Sequence, residues 1–375
     1  MGCKTTIGEL CTRICSGGTP KRNTIEFYED GDIPWLNTSE ISFNRIRKTG
    51  QHITEAGLSG SSAKWIRKNS IAVAMYGATA GKVAITKIPL TTNQACCNLE
   101  INEEIADYRY IFYWFKNQYT RVLGLANGGA QQNLSAKTIR ALEIELPTLS
   151  QQRRVASFLS TIDDKIELNA QLNGYLVKAC DVLYSNYAAG EQAAEWPMGT
   201  LEDLLEIRYG KDHKKLNDGN IPVYGSGGYM RSVDRFLYSG ESVLIPRKGS
   251  LNNVMYVREK FWTVDTMFYA VPKGPNVAKY AYQFIKRLDL ASMNSGSAVP
   301  SMTTKILNAL PVPIPPKESL HAFDAQLQPY YSAICANAIE NELLAALRDA
   351  LLPKLMSGEI DVSKVDLTQL NSHLA

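Results

Sequence analysis

The chain has 375 residues, 45% of them hydrophobic, and a formal net charge of +3. That is enough for two domains with real cores. With no secretory signal and no apolar run near the ~18 residues of a membrane span, a cytoplasmic protein is expected. The seven cysteines are odd in number, lack metal-like pairing, and read as small buried hydrophobes in a reducing compartment.

Charge is unevenly distributed. Residues 1–140 carry 17 Lys and Arg against 11 Asp and Glu, and residues 196–308 carry 15 against 10, while residues 141–195 and 309–375 each carry 4 against 8. Two basic parts alternate with two acidic ones. The alternation suits polyanion-binding modules on a non-binding scaffold, although an excess of this size also arises on an ordinary solvated face.

From the N-terminus, MGCKTT matches the short N-myristoylation pattern at Gly2 and Thr6, but the apolar Ile7 and Leu10 predict that the fold begins at once. Ser16–Asn23 (SGGTPKRN) is an exposed loop that ends on Lys21, Arg22 and Asn23. Asp32–Ile41 reads as a short strand and a turn with polar tips. Ser70–Thr86 reads as strand, glycine turn and strand, with Tyr76, Thr79 and Lys82 at or beside the turn. Asn127–Ile139 is a polar, glycine-rich loop carrying Gln131 and Gln132 before a helical start at Ser135.

The second basic part follows the same scheme. Gly210–Gly219 is a basic loop with Lys211, Lys214 and Lys215. Ile221–Met230 is a strand and glycine turn with Tyr224 and Ser226. Ser242–Val257 is a buried strand, a turn with Arg247, Lys248 and Ser250, and a further strand; Asn294–Ile306, with Ser301, is the counterpart of the polar loop. Arg and Lys pair with guanine, and Asn and Gln with adenine, while glycine-rich turns offer N–H groups to phosphates. These side chains are the candidate DNA contacts. Hairpin turns are polar and glycine-rich in any case, so no single loop is diagnostic.

Two long helices are predicted. The first, from about Ser150 to Ala188, has a seam at Val155, Leu159, Ile162, Ile166, Asn169, Asn173, Leu176, Cys180, Leu183 and Tyr187, in heptad steps of four and three. The same seam recurs 168 residues later as Phe323, Leu327, Tyr330, Ile334, Asn337, Asn341, Leu344, Arg348, Leu351 and Leu355. A helix with an apolar stripe needs a partner, and the most economical partner for each is the other. The 168-residue offset also aligns Gly128–Pro147 with Gly296–Pro315, so the chain is a tandem duplication rather than a short-repeat solenoid. Asp163 and Asp164, an acidic pair on the first helix, are expected to face solvent or another subunit. No phosphate-loop, HExxH or GxSxG motif is present.

The stretches SGGTPKRNTIEFYEDGDIPWLNTSEI, VAMYGATAGKVAIT, QQNLSAKTIRALEIELPTLSQQRRVASFLSTIDDKIELNAQLN and LLPKLMSGEI, with IPVYGSGGY, LIPRKGS and FWTVDTMFYAV in the second half, resemble the specificity (S) subunit of type I restriction–modification systems. The resemblance runs through the whole chain in the expected order. It implies an α+β chain in which two similar α/β target-recognition domains are separated by two long helices forming an antiparallel coiled coil, a pseudo-twofold internal repeat. The segments would be target-recognition domain 1 (1–140), helical spacer 1 (141–195), target-recognition domain 2 (196–308) and helical spacer 2 (309–375). It further implies a non-catalytic subunit that binds a split double-stranded DNA site and docks two methyltransferase (M) subunits and restriction (R) subunits. S-adenosylmethionine, ATP and Mg would belong to those partners and none to this chain; a catalytic Asn-Pro-Pro-Tyr-type motif is indeed not found here.

An antiparallel pair has a constant index sum. Pairing Asn169 with Asn341 and Asn173 with Asn337 gives one register, centred near Gln171 and Ile339, in which the seam asparagines fix alignment at some cost in stability; alternatively, they face solvent at a local break near Gly174. A helix of about 39 residues spans roughly 58 Å, against about 34–36 Å for a turn of DNA, so half-sites one to two turns apart are expected. Two other readings remain open: a coiled-coil interaction protein with basic domains, and a nucleic-acid-modifying enzyme with an unrecognised active site.

Overall fold

The computed structural model describes residues 2–126, 133–293 and 301–362. They pack as two compact units, one built from the chain up to Leu168 together with the chain from Glu340, the other from Asn169–Ile339. The division cuts through both long helices instead of following the spacer boundaries at 141, 196 and 309. Each globular part therefore takes one half of each helix as its own packing surface.

In the first unit, strand Cys3–Thr6 pairs antiparallel with Glu143–Leu146 at the entry to the first long helix. The main sheet has five strands in the order Cys11–Ser16, Cys96–Ile101, Ile71–Ala74, Val83–Thr86 and Asn44–Ile46. Its three inner strands are buried at every position, which is why IAVA, VAIT and CCNLEI are nearly continuous apolar runs. The core against this sheet comes from helix Tyr108–Asn117, whose Tyr110–Phe115 are all buried. A smaller sheet of Gln51–Ile53, Ile33–Leu36 and Thr91–Thr92 encloses Trp35.

The second unit has a four-stranded sheet, Leu205–Tyr209, Met267–Pro272, Ser242–Pro246 and Met255–Val257, and another, Gly228–Val233, Asp218–Gly225, Lys260–Thr263 and Tyr238–Ser239. Helix Val277–Ile285 covers the sheet containing Ser242–Pro246, as Tyr108–Asn117 covers the main sheet of the first unit.

The duplication is visible bond by bond. Gly17 and Gly18 donate backbone N–H groups to Cys96 and Thr92; Gly210 and Lys211 donate to Met267 and Thr263. A Cβ on Gly17 would lie 2.2 Å from the Thr92 carbonyl oxygen, and one on Gly210 would lie 2.1 Å from that of Val264. Both loops thus leave the sheet through a crossing only glycine can make.

The long helices run from Leu149–Ala189 and Lys317–Ser357, 41 residues each. In the second unit the Asn337 side-chain amide donates to Asn173 Oδ1 at 2.8 Å, and Tyr187 stacks on Phe323 at 4.1 Å. Those two pairs share one index sum, so the helix halves in this unit run antiparallel in the predicted register. Asn173 also donates to the Ile334 carbonyl at 3.2 Å, and in the first unit Asn341 donates to that of Ile166 at 3.2 Å. Asn173, Asn337 and Asn341 are thus seam residues whose amides bond across the helix pair, and Asn169 is buried.

The acidic pair divides: Asp164 is exposed as expected, whereas Asp163 turns inward. Asp163 accepts from Tyr113 Oη at 2.5 Å and from Arg348 at 2.6 Å, while Asp164 pairs with Arg45. Arg45 and Arg47 also reach Glu167, at 3.4 and 2.9 Å. Arg45, whose side chain is 7% exposed, is compensated by Asp164 and Glu167 from the helix surface, because a buried charge needs a partner. The second unit repeats the docking: Lys116–Asp349 at 2.9 Å in the first corresponds to Lys286–Asp181 at 2.6 Å in the second. Tyr113–Asp163 corresponds to Gln283–Tyr331, at 3.0 Å, with the residue types changed and the bond kept. Part of the helices' acidity therefore serves to hold their own domains.

All seven cysteines are free; Cys96, Cys97 and Cys180 are buried as expected, whereas Cys3 is exposed on the first strand. Burial pushes the Cys97 thiol to about 12 and Cys180 to about 11, so neither is a reactive thiolate at neutral pH.

Candidate nucleic-acid interface

In each unit the loops leaving the main sheet converge, and the first unit builds its cluster around one strand turn. Ile71–Ala74 ends in a single turn, Gly77–Thr79, with φ of +75° at Gly77 and +79° at Gly81, conformations that glycine adopts without Cβ strain. The turn projects Tyr76, which is 43% exposed. Tyr76 bridges in backbone to Asn133, and Thr79 Oγ1 donates to the Thr38 carbonyl at 2.9 Å. Thr79 thereby joins the turn at Asn37–Glu40, while Lys82 sits half-buried where the next strand begins.

The loop bearing Lys21, Arg22 and Asn23 is exposed but anchored. Trp35 Nε1 donates to the Gly18 carbonyl at 2.9 Å and Tyr28 Oη to that of Pro20 at 2.6 Å. Arg22 lies over the Trp35 ring at 4.9 Å and over Tyr28 at 5.5 Å. Its Nη1 donates to Gln51 Oε1 at 3.3 Å. Arg22, Tyr76 and Thr79 thus share one surface, joined by Asn37, Thr38 and Gln51, which the sequence reading passed over. Asn37 and Thr38 belonged to a turn already noted for polar tips; nothing in the sequence marked Gln51, which reaches the group through sheet pairing with Trp35. Gln131 and Gln132 lie outside the described residues.

In the second unit, Lys211, Lys214 and Lys215 form an exposed loop pinned by Trp262 Nε1, which donates to the Lys211 carbonyl at 2.8 Å. The Lys214 backbone N–H donates to Asp212 and holds that carboxylate below its usual range. Arg247 lies over Tyr209 at 5.4 Å, and Lys248 bridges in backbone to Ser301. Asn253 Nδ2 donates to the Ser226 carbonyl at 2.8 Å and its backbone N–H to that of Ser250 at 2.9 Å. Ser226, Arg247, Lys248, Ser250 and Ser301 are therefore neighbours, with Asn253 and Tyr209 as additions the sequence did not suggest. Tyr224 is turned to Glu259, donating its hydroxyl at 2.7 Å. Among the described residues, Lys21, Lys211, Lys215 and Lys248 enter no salt bridge, leaving their charge available to an outside anion.

The two clusters are the same place on one scaffold. Leu134 N–H donates to the Met75 carbonyl, and Met302 N–H to that of Arg247; Tyr76 bridges Asn133, and Lys248 bridges Ser301. Met75 and Tyr76 correspond to Arg247 and Lys248. The backbone is kept while the projecting chemistry changes from aromatic to cationic. No candidate metal site of clustered His, Cys, Asp or Glu occurs among the described residues, and no described helix is long and apolar enough to cross a membrane.

Residues 4–176 and 193–346 match the family model described as type I restriction modification DNA specificity domain. The chain is 25% identical to the type I restriction enzyme MjaIX specificity subunit of Methanocaldococcus jannaschii, over 96% of this chain and 93% of that one. It is 31% identical over 163 residues to the EcoR124I/EcoR124II specificity subunit of Escherichia coli, covering 42% of this chain and 40% of that one. In fold it is similar to the crystal structure of the type I restriction–modification S subunit from M. genitalium, with a TM-score of 0.60 at 21% identity over 94% of this chain and 95% of that one. The chain belongs to the type I restriction–modification DNA specificity family, which its two matched segments and two equivalent loop clusters represent twice over.

Proposed function

We propose that this chain is the DNA-reading subunit of a type I restriction–modification assembly, acting in the cytoplasm on a bipartite double-stranded site. Each unit reads one half-site with its loop cluster. The observation that carries this reading is the pair of equivalent loop tips with unlike exposed side chains, Tyr76 against Lys248, on backbone bonds that Met75 and Arg247 share. One scaffold with two different projecting chemistries suits two different half-sequences. Unpaired lysines around each cluster supply the sequence-independent phosphate attraction.

Methyl transfer and cleavage belong, on this reading, to M and R subunits, which would carry S-adenosylmethionine, ATP and Mg. The long helices offer surface for such partners: Leu172, Tyr175 and Val182 are 43%, 67% and 59% exposed in the second unit, and Leu343 and Leu347 are 67% and 49% exposed in the first. Apolar side chains in this number on two helices suit a protein partner.

The test is the methylome of cells expressing the chain with its methyltransferase subunit. The expected result is one new methylated motif made of two half-sites, absent when either chain is omitted. Methylation by the purified chain alone would favour a modifying enzyme. Partner binding without any sequence-selective DNA binding would favour a coiled-coil interaction protein.

A further inference from the structure

Resting on that reading, we propose that the half-site of the first unit contains a guanine, recognised on its major-groove edge by Arg22, with Gln51, Asn37 and Asn93 as positioning residues.

The argument is the direction of a hydrogen-bond chain. A guanidinium only donates. The Gln51 atom 3.3 Å from Arg22 Nη1 must therefore be its oxygen. That oxygen also receives the Asn37 amide nitrogen at 3.1 Å, so the Asn37 oxygen is the atom that receives Asn93 Nδ2 at 3.3 Å. Asn93 Oδ1 in turn accepts the Ala95 N–H at 3.2 Å and the Cys96 thiol at 3.3 Å. One arginine thus fixes the orientation of three amides, a choice that distance alone leaves open.

The consequence is chemical. Every side-chain oxygen in the chain is engaged. What remains for an outside group is the Gln51 –NH₂ and the unused N–H groups of Arg22, and both residues are exposed. These two groups therefore offer donors only. Guanine presents two adjacent acceptors, O6 and N7, in the major groove; adenine and cytosine each present an amino donor there, and thymine a single acceptor beside a methyl group. The Arg22 and Gln51 donors meet guanine without conflict and meet the amino groups of adenine and cytosine donor to donor.

Arg22 is also held in advance. It lies over the Trp35 ring at 4.9 Å, and Trp35 is fully buried and tied to Gly18. Thr79, bonded to Thr38 beside Asn37, links this cluster to Tyr76. An arginine fixed by stacking and one hydrogen bond loses less freedom on binding than a free surface arginine.

The experiment uses the full chain assembled with its methyltransferase subunit. Bound duplexes are selected from a random pool, and each guanine of the selected site is then replaced by 7-deazaguanine, which lacks the N7 acceptor. One such replacement removes one of the two acceptors and should weaken wild-type binding roughly 2- to 13-fold, the scale of a single hydrogen bond, and should change little in R22A. Q51E, whose carboxylate closes an ion pair on Arg22, should lose the same discrimination while the other half-site is read as before, which controls for folding. A pool with no selected sequence would refute DNA reading itself and this proposal with it. A selected site in which no 7-deazaguanine effect depends on Arg22 would overturn the proposal alone. So would R22A binding all sequences more weakly alike with a shallower salt dependence, the signature of a phosphate contact.

Discussion

Replacing Asn337 with leucine isolates what a seam asparagine does. In the native pair, Asn337 Nδ2 donates to Asn173 Oδ1 at 2.8 Å, and Asn173 Nδ2 donates to the Ile334 carbonyl at 3.2 Å. N337L leaves Asn173 Oδ1 facing apolar side chains without its donor. An unmade hydrogen bond costs about 1–3 kcal/mol, and the half-buried state of both residues lets water in and points to the lower end. N173L strands Asn337 in the same way. The double variant N173L/N337L removes both orphans and adds apolar area at about 25 cal/mol per Å², so it should be near neutral or stabilising. The coupling between the sites is then on the order of 2 kcal/mol, within the range for residues in contact. Hydrogen exchange of backbone amides in Asn169–Ile339 is the appropriate assay, because a chain of two units need not unfold in a single step. Additivity of the single variants within about 0.5 kcal/mol would refute the claim that the asparagines act as a pair.

Three further outcomes are expected. Burial raises the pKa of Glu241, but hydrogen bonds from Tyr256 at 2.5 Å and Lys279 at 3.0 Å outweigh it and hold the group below its ordinary 4.5. A depressed folded-state pKa contributes stability that is present above 4.5 and lost as pH falls through the folded value; acid titration of thermal melting should therefore show a loss below about pH 4.5 that E241Q flattens. G17A and G210A should each cost about 3 kcal/mol, the upper end for overpacking, because each Cβ would meet a backbone oxygen near 2 Å; a melting curve unchanged by either would contradict the shared crossing. Inserting one heptad in each long helix adds about 10 Å to it, and methylome sequencing should then report wider spacing between unchanged half-sites; unchanged spacing would end the idea of the helices as a ruler.

The parts of the fold governed by periodicity were legible. The heptad seam, its asparagines and the duplication follow from residues whose spacing alone says which way they face, and the inner strands announced themselves as short apolar runs. Asp164 is exposed as expected, but the inward turn of Asp163 and the partners of both were missed, because Asp163 meets Tyr113 and Arg348, and Asp164 meets Arg45, across separations of 50, 185 and 119 residues, for which local pattern carries no signal. The loop candidates were legible as loops but not as clusters. Arg22 was visible as a basic residue after a glycine pair, whereas its orientation depends on Gln51, Asn37 and Trp35 arriving from other strands. The unit boundary was hidden for a related reason: a helix reads as one element even when its two halves pack against different domains.

The central claim is that two equivalent loop clusters read two different half-sites. The most direct measurement is selection of bound duplexes by the assembled complex, carried out on wild type, on R22A and on R247A. The expected result is a split site in which R22A alters the preference in one half and R247A alters it only in the other. A single contiguous site, or two variants that disturb the same half, would contradict it.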